Sequence, residues 1–163
     1  MTDVADEDAR ALLREVVATP SVSGSETAVA ERLQAFFAAH DREAWIDDAG
    51  NLRAPADDAL LLTSHMDTVP GEIPVRVEDD VLWGRGSVDA KGPLVAMAVA
   101  AVQAGVSFVG VVEEETSSAG ARALVEEREA PEALVNGEPS GWASITLGYR
   151  GMLRGEYTVE TAV

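Results

Sequence analysis

The chain has 163 residues, of which 47% are apolar. This is enough for one domain with a hydrophobic core, and the absence of cysteine excludes disulfides, thiolate metal ligands and cysteine nucleophiles. The net charge of −17 arises from 29 acidic and 12 basic residues, and a surface this acidic repels phosphate backbones, so we expect no nucleic-acid partner. The N-terminus is acidic where a signal peptide is basic, and no apolar stretch reaches membrane-spanning length, so we expect a cytoplasmic protein that does not bind membranes.

The first predicted elements are two helices. Residues 7–18 place leucine and valine on one helical face, and Pro20 ends this helix because proline cannot continue the hydrogen-bond ladder. Ser23 and Glu26 match a capping box, which predicts a second helix over residues 27–39.

Short apolar runs alternate with helical patterns in the rest of the chain. We predict strands at 44–46, near 52 and at 60–64, a hairpin of 75–77 with 81–83, a helix at 92–104, a strand at 106–112, a helix at 118–129, and strands at 134–135, 143–147 and 151–161. Unbroken apolar runs of strand length are typical of strands buried on both faces. This alternation predicts an α/β sheet covered by helices on both faces.

Histidine and carboxylate side chains follow the predicted strands at regular intervals. His65, Asp89, the pair Glu114 and Glu115, and Glu138 are each separated by about 24 residues, roughly the length of a strand–helix–strand step. Open α/β folds bind ligands at the carboxyl ends of their strands, so we expect these groups to meet there. Imidazole and carboxylate, without thiolate, suit Zn²⁺, Co²⁺ or Mn²⁺. The pattern predicts a hydrolytic metal centre.

Two further features bear on this centre. Asp67 lies two residues beyond His65, on the same side of an extended segment, and could hold the second ring nitrogen, although an isolated His-x-Asp is more often structural. Asp89 lies in a glycine-rich turn that matches neither a Walker loop nor a dinucleotide-binding loop. We interpret Asp89 as a ligand able to bridge two metals.

The adjacent Glu114 and Glu115 would face opposite ways in extended backbone, which suits one metal ligand and one general base. The alternative is an ordinary acidic loop on an acidic protein. His40, the other histidine, ends the second predicted helix, and we expect it to be a surface residue or a partner of the helix dipole and no metal ligand.

Four stretches together carry a family resemblance: Ser-His-Met-Asp-Thr-Val-Pro at 64–70, Gly-Arg-Gly-Ser-Val-Asp-Ala-Lys-Gly at 84–92, Glu-Glu-Glu-Thr at 113–116 and Gly-Glu-Pro at 137–139. In order and spacing they resemble the M20 family of dinuclear zinc amidohydrolases and peptidases. Residues 69–76, 137–142 and 145–151 are most similar to its LysW-lysine/LysW-ornithine hydrolases, the LysK or acetyl-lysine deacetylase type.

The resemblance implies a fold and a division of the chain. Residues 1–148 are expected to form the N-terminal part of a three-layer αβα zinc-peptidase-like catalytic domain, and 149–163 the first strand of a lid and dimerisation domain. A homodimer is expected for the full-length family. Relatives continue into a Gly-His-Ser segment and a later histidine, so we expect the second metal site to be incomplete and the 163-residue chain to have little hydrolase activity.

The resemblance also implies roles for the site residues. His65 and Glu138 would bind one Zn²⁺ or Co²⁺, Glu115 would bind a second, and Asp89 would bridge the pair. Asp67 would support His65, and Glu114 would be the base that deprotonates the attacking water. The family further implies a cis peptide between Asp89 and Ala90.

The implied reaction is hydrolysis of the amide between lysine or ornithine and the C-terminal glutamate of the carrier protein LysW, in lysine and arginine biosynthesis. Alternatives are a small N-acyl amino acid as substrate, succinyl-diaminopimelate or dipeptide hydrolysis, or a non-catalytic remnant that binds metal.

The acidic residues are spread along the chain instead of clustered. This distribution favours adaptation of the whole surface to a high-salt cytoplasm, where salt screens the self-repulsion, over a functional acidic patch.

Overall fold

A computed structural model describes residues 3–141 and 143–148, together with 151, 155, 158 and 159. Its elements, in chain order, are α1 (Asp6–Ala18), α2 (Thr27–Ala39), β1 (Trp45–Ile46), β2 (Leu52–Ala54), β3 (Asp57–His65), β4 (Arg76–Glu78), β5 (Val81–Trp83), α3 (Lys91–Ala104), β6 (Val106–Val111), α4 (Ala119–Glu127) and β7 (Ala133–Asn136). The lid strand predicted over 149–163 lies almost wholly outside the described residues.

Five strands form the main sheet in the order β1-β2-β6-β3-β7. The central strand β3 runs parallel to both of its neighbours, β6 and β7, whereas β2 pairs antiparallel with β6 and with β1. The carboxyl ends of β3, β6 and β7 therefore meet at one edge, as the spacing of the histidine and carboxylates predicts.

Helices cover both faces of this sheet. The strands alternate their side chains between the faces, so that Leu62 and Phe108 join the large cluster beneath α1, α2 and α3, whereas Leu61 and Val109 meet Leu124 of α4 on the opposite face. The three-layer αβα prediction is confirmed. Burying each of these large apolar side chains stabilises the fold by about 1.5–3 kcal/mol.

The hairpin of β4 and β5 is also confirmed. Its strands pair antiparallel, and Asp79 and Asp80 at its tip have φ values of 50° and 61°. Aspartate tolerates the left-handed region that a two-residue hairpin turn requires.

Two predictions are wrong. The strand predicted over 143–147 does not form, because among the described residues no strand pairs with it, and Ile145 and Leu147 remain 86% and 96% exposed. Ser23 and Glu26 do not cap α2 with their side chains. The Ser23 hydroxyl instead donates to Asp67, and the Glu26 carboxylate accepts the backbone N–H groups of Gly24 and Glu113.

Within the described residues, no helix combines the length and the apolar character needed to cross a membrane.

Candidate metal centre

His65 is the last residue of β3, where the strand reaches the carboxyl edge of the sheet beside Val111 of β6. Its side chain is only 1% exposed. Nδ1 lies 3.2 Å from Oδ1 of Asp67, and Nε2 lies 3.1 Å from Oδ1 of Asp89 and 3.8 Å from Oε2 of Glu138. The imidazole is thus held on one side by a buried carboxylate and presents Nε2 to two others.

Asp89 lies in the turn that leads into α3. Gly86 has a φ of 77° in this turn, and a Cβ at Gly92 would approach the carbonyl oxygen of Ser87 to 2.6 Å, so glycine is required at both positions. The Asp89–Ala90 peptide is cis, as the resemblance implies. The turn leaves the Asp89 side chain 55% exposed and facing His65.

Glu113, Glu114 and Glu115 follow β6 in a turn that we call the acidic turn. The prediction that Glu114 and Glu115 lie in extended backbone is wrong: Glu113 has a φ of 56°, and the chain turns at residues 114–117. Asp67 helps to hold this turn, because its Oδ1 accepts the backbone N–H of Glu114 and its Oδ2 accepts that of Glu115, both at 3.0 Å. The Asp67 carboxylate thereby fixes the backbone of both Glu114 and Glu115.

Three of the predicted ligands converge. Single ligand atoms of His65, Asp89 and Glu115 lie within 4.8 Å of one another. Glu138 lies outside this group but has an oxygen 3.8 Å from Nε2 of His65. Glu114 is exposed, and its backbone is fixed by Asp67. His40 does not join them, because its Nδ1 lies 2.8 Å from the carbonyl oxygen of Phe36 at the end of α2.

The electrostatics of the centre are those of carboxylates crowded around one imidazole. Burial by itself lowers the pKa of His65, but its hydrogen bonds with Asp67 and Asp89 and the charge of Glu138 raise it to about 9. Burial raises the pKa of Glu115, and the charge of Asp89 raises it further. Burial also raises the pKa of Glu138. Excess negative charge around one nitrogen donor favours a cation, so the donor set fits a divalent metal.

Asp67 is a fully buried carboxylate. Burial by itself raises its pKa, but hydrogen bonds from His65, from the Ser23 hydroxyl and from the N–H groups of Glu115 and Glu114 lower it to about 2. Asp67 is therefore ionised at neutral pH and can accept all of these hydrogen bonds.

Sequence reasoning missed the structural partners of the centre. The Ser23 hydroxyl donates to Oδ2 of Asp67 at 2.6 Å, and Oε1 of Glu26 accepts the backbone N–H of Glu113 at 3.0 Å. Lys91, the one lysine of the sequence, is 1% exposed and donates from Nζ to the carbonyl oxygen of Thr19 at 2.6 Å. Burial lowers the pKa of Lys91 to about 8. A single lysine among 12 basic residues is the sequence signal that could have drawn attention to Lys91.

Comparison with known proteins gives consistent matches. The chain is 45% identical over 175 residues to the LysW-lysine hydrolase of Deinococcus radiodurans, a match that covers 98% of this chain and 48% of that protein. It is 41% identical over 100 residues to the LysW-lysine/LysW-ornithine hydrolase of Saccharolobus islandicus, covering 58% of this chain and 29% of that protein. The chain spans about half the length of the curated relatives that match it over most of its residues.

Solved structures share the fold. Aminopeptidase PepT from Bacillus cereus superposes with a TM-score of 0.65 at 25% identity, over 82% of this chain and 43% of that one. The YXEP protein of Bacillus subtilis, a dinuclear metal binding peptidase from the M20 family, superposes with a TM-score of 0.51 at 15% identity, over 75% and 40% of the two chains. The sequence profile of peptidase family M20/M25/M40 matches residues 61–162, well over half of the chain. The chain therefore belongs to peptidase family M20/M25/M40.

Proposed function

We propose that this chain belongs to a metal-dependent amide hydrolase that releases lysine or ornithine from a LysW-type carrier protein in lysine and arginine biosynthesis. The observation that carries the proposal is the convergence of His65, Asp89 and Glu115 at the carboxyl edge of the sheet. The names of relatives at 41–45% identity supply the substrate class. Because amino-acid biosynthesis takes place in the cytoplasm, the proposal places the protein there. A homodimer is part of the same proposal.

His65 and Glu138 would hold one metal ion, Glu115 would hold a second, and Asp89 would lie between the two. Zn²⁺ and Co²⁺ both accept imidazole nitrogen and carboxylate oxygen. When bound, such an ion supplies the Lewis acidity that polarises an amide carbonyl.

The residues of this chain would orient the donors and move protons. Asp67 holds Nδ1 of His65, so that Nε2 faces the centre. Glu114 follows the strand end at the same edge as Glu115 and would take a proton from water and return it to the departing amine. Its position is set through its backbone, which Asp67 fixes.

The substrate is tested by joining this chain in frame to the region of the Deinococcus radiodurans relative that lies beyond the match. We expect the fusion to release lysine or ornithine from LysW conjugates faster than it cleaves N-acetyl-lysine, succinyl-diaminopimelate or dipeptides. A metal-loaded fusion that prefers one of these small substrates would contradict the proposed substrate class.

Glu114→Ala in the same fusion is expected to lower kcat at least about 100-fold, because the group that transfers the proton is removed. The content of bound metal, measured by mass spectrometry of the metal, should remain that of the unmodified fusion. Glu126→Ala, at an exposed position of α4, is the matched control and should retain activity. Loss of metal from the Glu114 variant would instead make Glu114 a ligand.

A further inference from the structure

Two acidic residues are buried in the described part of the chain, Glu26 at 4% exposure and Asp67 at 0%. The remaining acidic residues there are partly or fully exposed. Burial of a carboxylate is unfavourable unless hydrogen bonds replace its water. The hydrogen-bond partners of these two carboxylates therefore indicate which part of the structure each carboxylate stabilises.

Both buried carboxylates bind the acidic turn. Glu26 accepts the N–H of Glu113, and Asp67 accepts those of Glu114 and Glu115, all three at 3.0 Å. Three consecutive backbone donors are thus held by two side chains that lie 41 positions apart in the sequence. The acidic turn carries the predicted site residues Glu114 and Glu115. It is held by charge-assisted hydrogen bonds to two side chains that do not belong to the turn.

Glu26 acts at the point where the chain leaves β6. Glu113 has a φ of 56°, a left-handed conformation that non-glycine residues adopt only when their surroundings hold them there. The side chain of Glu113 turns away and accepts the Ser117 hydroxyl at 2.6 Å. The hydrogen bond that the Glu113 N–H donates to Glu26 therefore holds the backbone of Glu113 in the conformation from which Glu115 reaches His65 and Asp89.

Glu26 itself is well anchored. It immediately precedes α2, whose N-terminus favours a negative charge, and its own carbonyl oxygen accepts the N–H groups of Val29 and Ala30. Oε1 also accepts the N–H of Gly24 at 2.9 Å. The carboxylate is held between two backbone donors by a helix that is itself packed in the core.

We propose that Glu26 is a positioning residue for the metal centre. By holding the backbone of Glu113, it places Glu115 against His65 and Asp89 and sets the position of Glu114. This inference rests on the proposed function, since it assigns Glu26 to the same centre.

The test uses the 163-residue chain with Co²⁺ alone as the probe. Glu26→Ala should weaken Co²⁺ binding about 10-fold and change its visible absorption, which reports the ligands of the ion. Glu26→Gln keeps an oxygen at the position of Oε1, so it should restore both the affinity and the spectrum. Wild-type affinity and spectrum in Glu26→Ala, or a Glu26→Gln variant as impaired as Glu26→Ala, would overturn the proposal.

A second variant applies if Glu26→Ala does not fold, and a second measurement applies if the unmodified chain does not bind Co²⁺. If Glu26→Ala does not fold, Glu26→Asp, which withdraws the carboxylate by one methylene group, must show the weaker binding, and wild-type binding in that variant overturns the proposal. If the unmodified chain does not bind Co²⁺, the proposed function fails. Hydrogen exchange then decides the role of Glu26: the amides of residues 113–115 should be protected in the unmodified chain and exchange faster in the Glu26 variant, and equal exchange refutes it.

Discussion

Asp67→Asn is expected to destabilise the fold by about 3–5 kcal/mol and to weaken metal binding about 100-fold. One carboxylate oxygen of Asp67 faces Nδ1 of His65 and the N–H of Glu114, and the other faces the Ser23 hydroxyl and the N–H of Glu115. In either orientation, the new NH₂ group points at a backbone N–H. Two donors then face each other in a site that water does not reach.

The control for this substitution is Asp48→Asn, which makes the same chemical change at an exposed position. Urea unfolding and Co²⁺ titration of both variants separate the loss of Asp67 from the loss of one negative charge. If Asp67→Asn unfolds at the urea concentration of the unmodified chain, the role that we assign to Asp67 is wrong.

Stability should rise steeply with salt. The net charge is −17, and the acidic residues of the described part are at least partly exposed apart from Glu26 and Asp67, so the repulsion among them acts through solvent. The screening length falls from about 10 Å in 0.1 M salt to about 3 Å in 1 M salt. We expect the melting temperature in 2 M KCl to exceed that in 0.1 M KCl by about 10 °C or more, as a gain of a few kcal/mol would produce in a domain of this size.

A charge-reduced variant distinguishes screening from other effects of salt. It replaces six exposed acidic residues with their amides, at positions that form no ion pair within the described part of the chain: Glu31, Glu43, Asp79, Asp80, Glu126 and Glu129. This variant should be more stable in dilute buffer and depend less on KCl. An unmodified chain that is equally stable in dilute buffer and in 2 M KCl contradicts adaptation to salt.

Local sequence patterns predicted most of the fold because most elements depend on local periodicity. The apolar run before His65 became β3, and the nearly all-apolar stretch that ends at Ala104 became α3. The same reasoning failed at 143–147, where the strand pattern has no partner among the described residues. A strand depends on a neighbouring strand, which its own residues do not reveal.

The candidate centre likewise has one part that local sequence patterns predict and another part that they do not. The convergence of His65, Asp89 and Glu115 could be predicted because each residue follows a strand or opens a helix, and the topology then brings these ends together. The roles of Ser23 and Glu26 could not be predicted, because their partners Asp67 and Glu113 lie 44 and 87 residues further along the chain. The local pattern predicted that Ser23 and Glu26 cap α2. In the structure, their side chains form hydrogen bonds with residues far away in the sequence.

The most direct test of the metal centre is calorimetric titration of Co²⁺ into the 163-residue chain, in enough KCl to screen weak binding to the acidic surface. The unmodified chain should bind Co²⁺, and His65→Ala should weaken that binding at least about 100-fold, because the nitrogen donor is lost. His40→Ala removes the other histidine of the sequence and should leave the affinity unchanged. Equal affinities in the unmodified chain and the His65 variant, or no binding to the unmodified chain, would contradict a metal centre at this edge of the sheet.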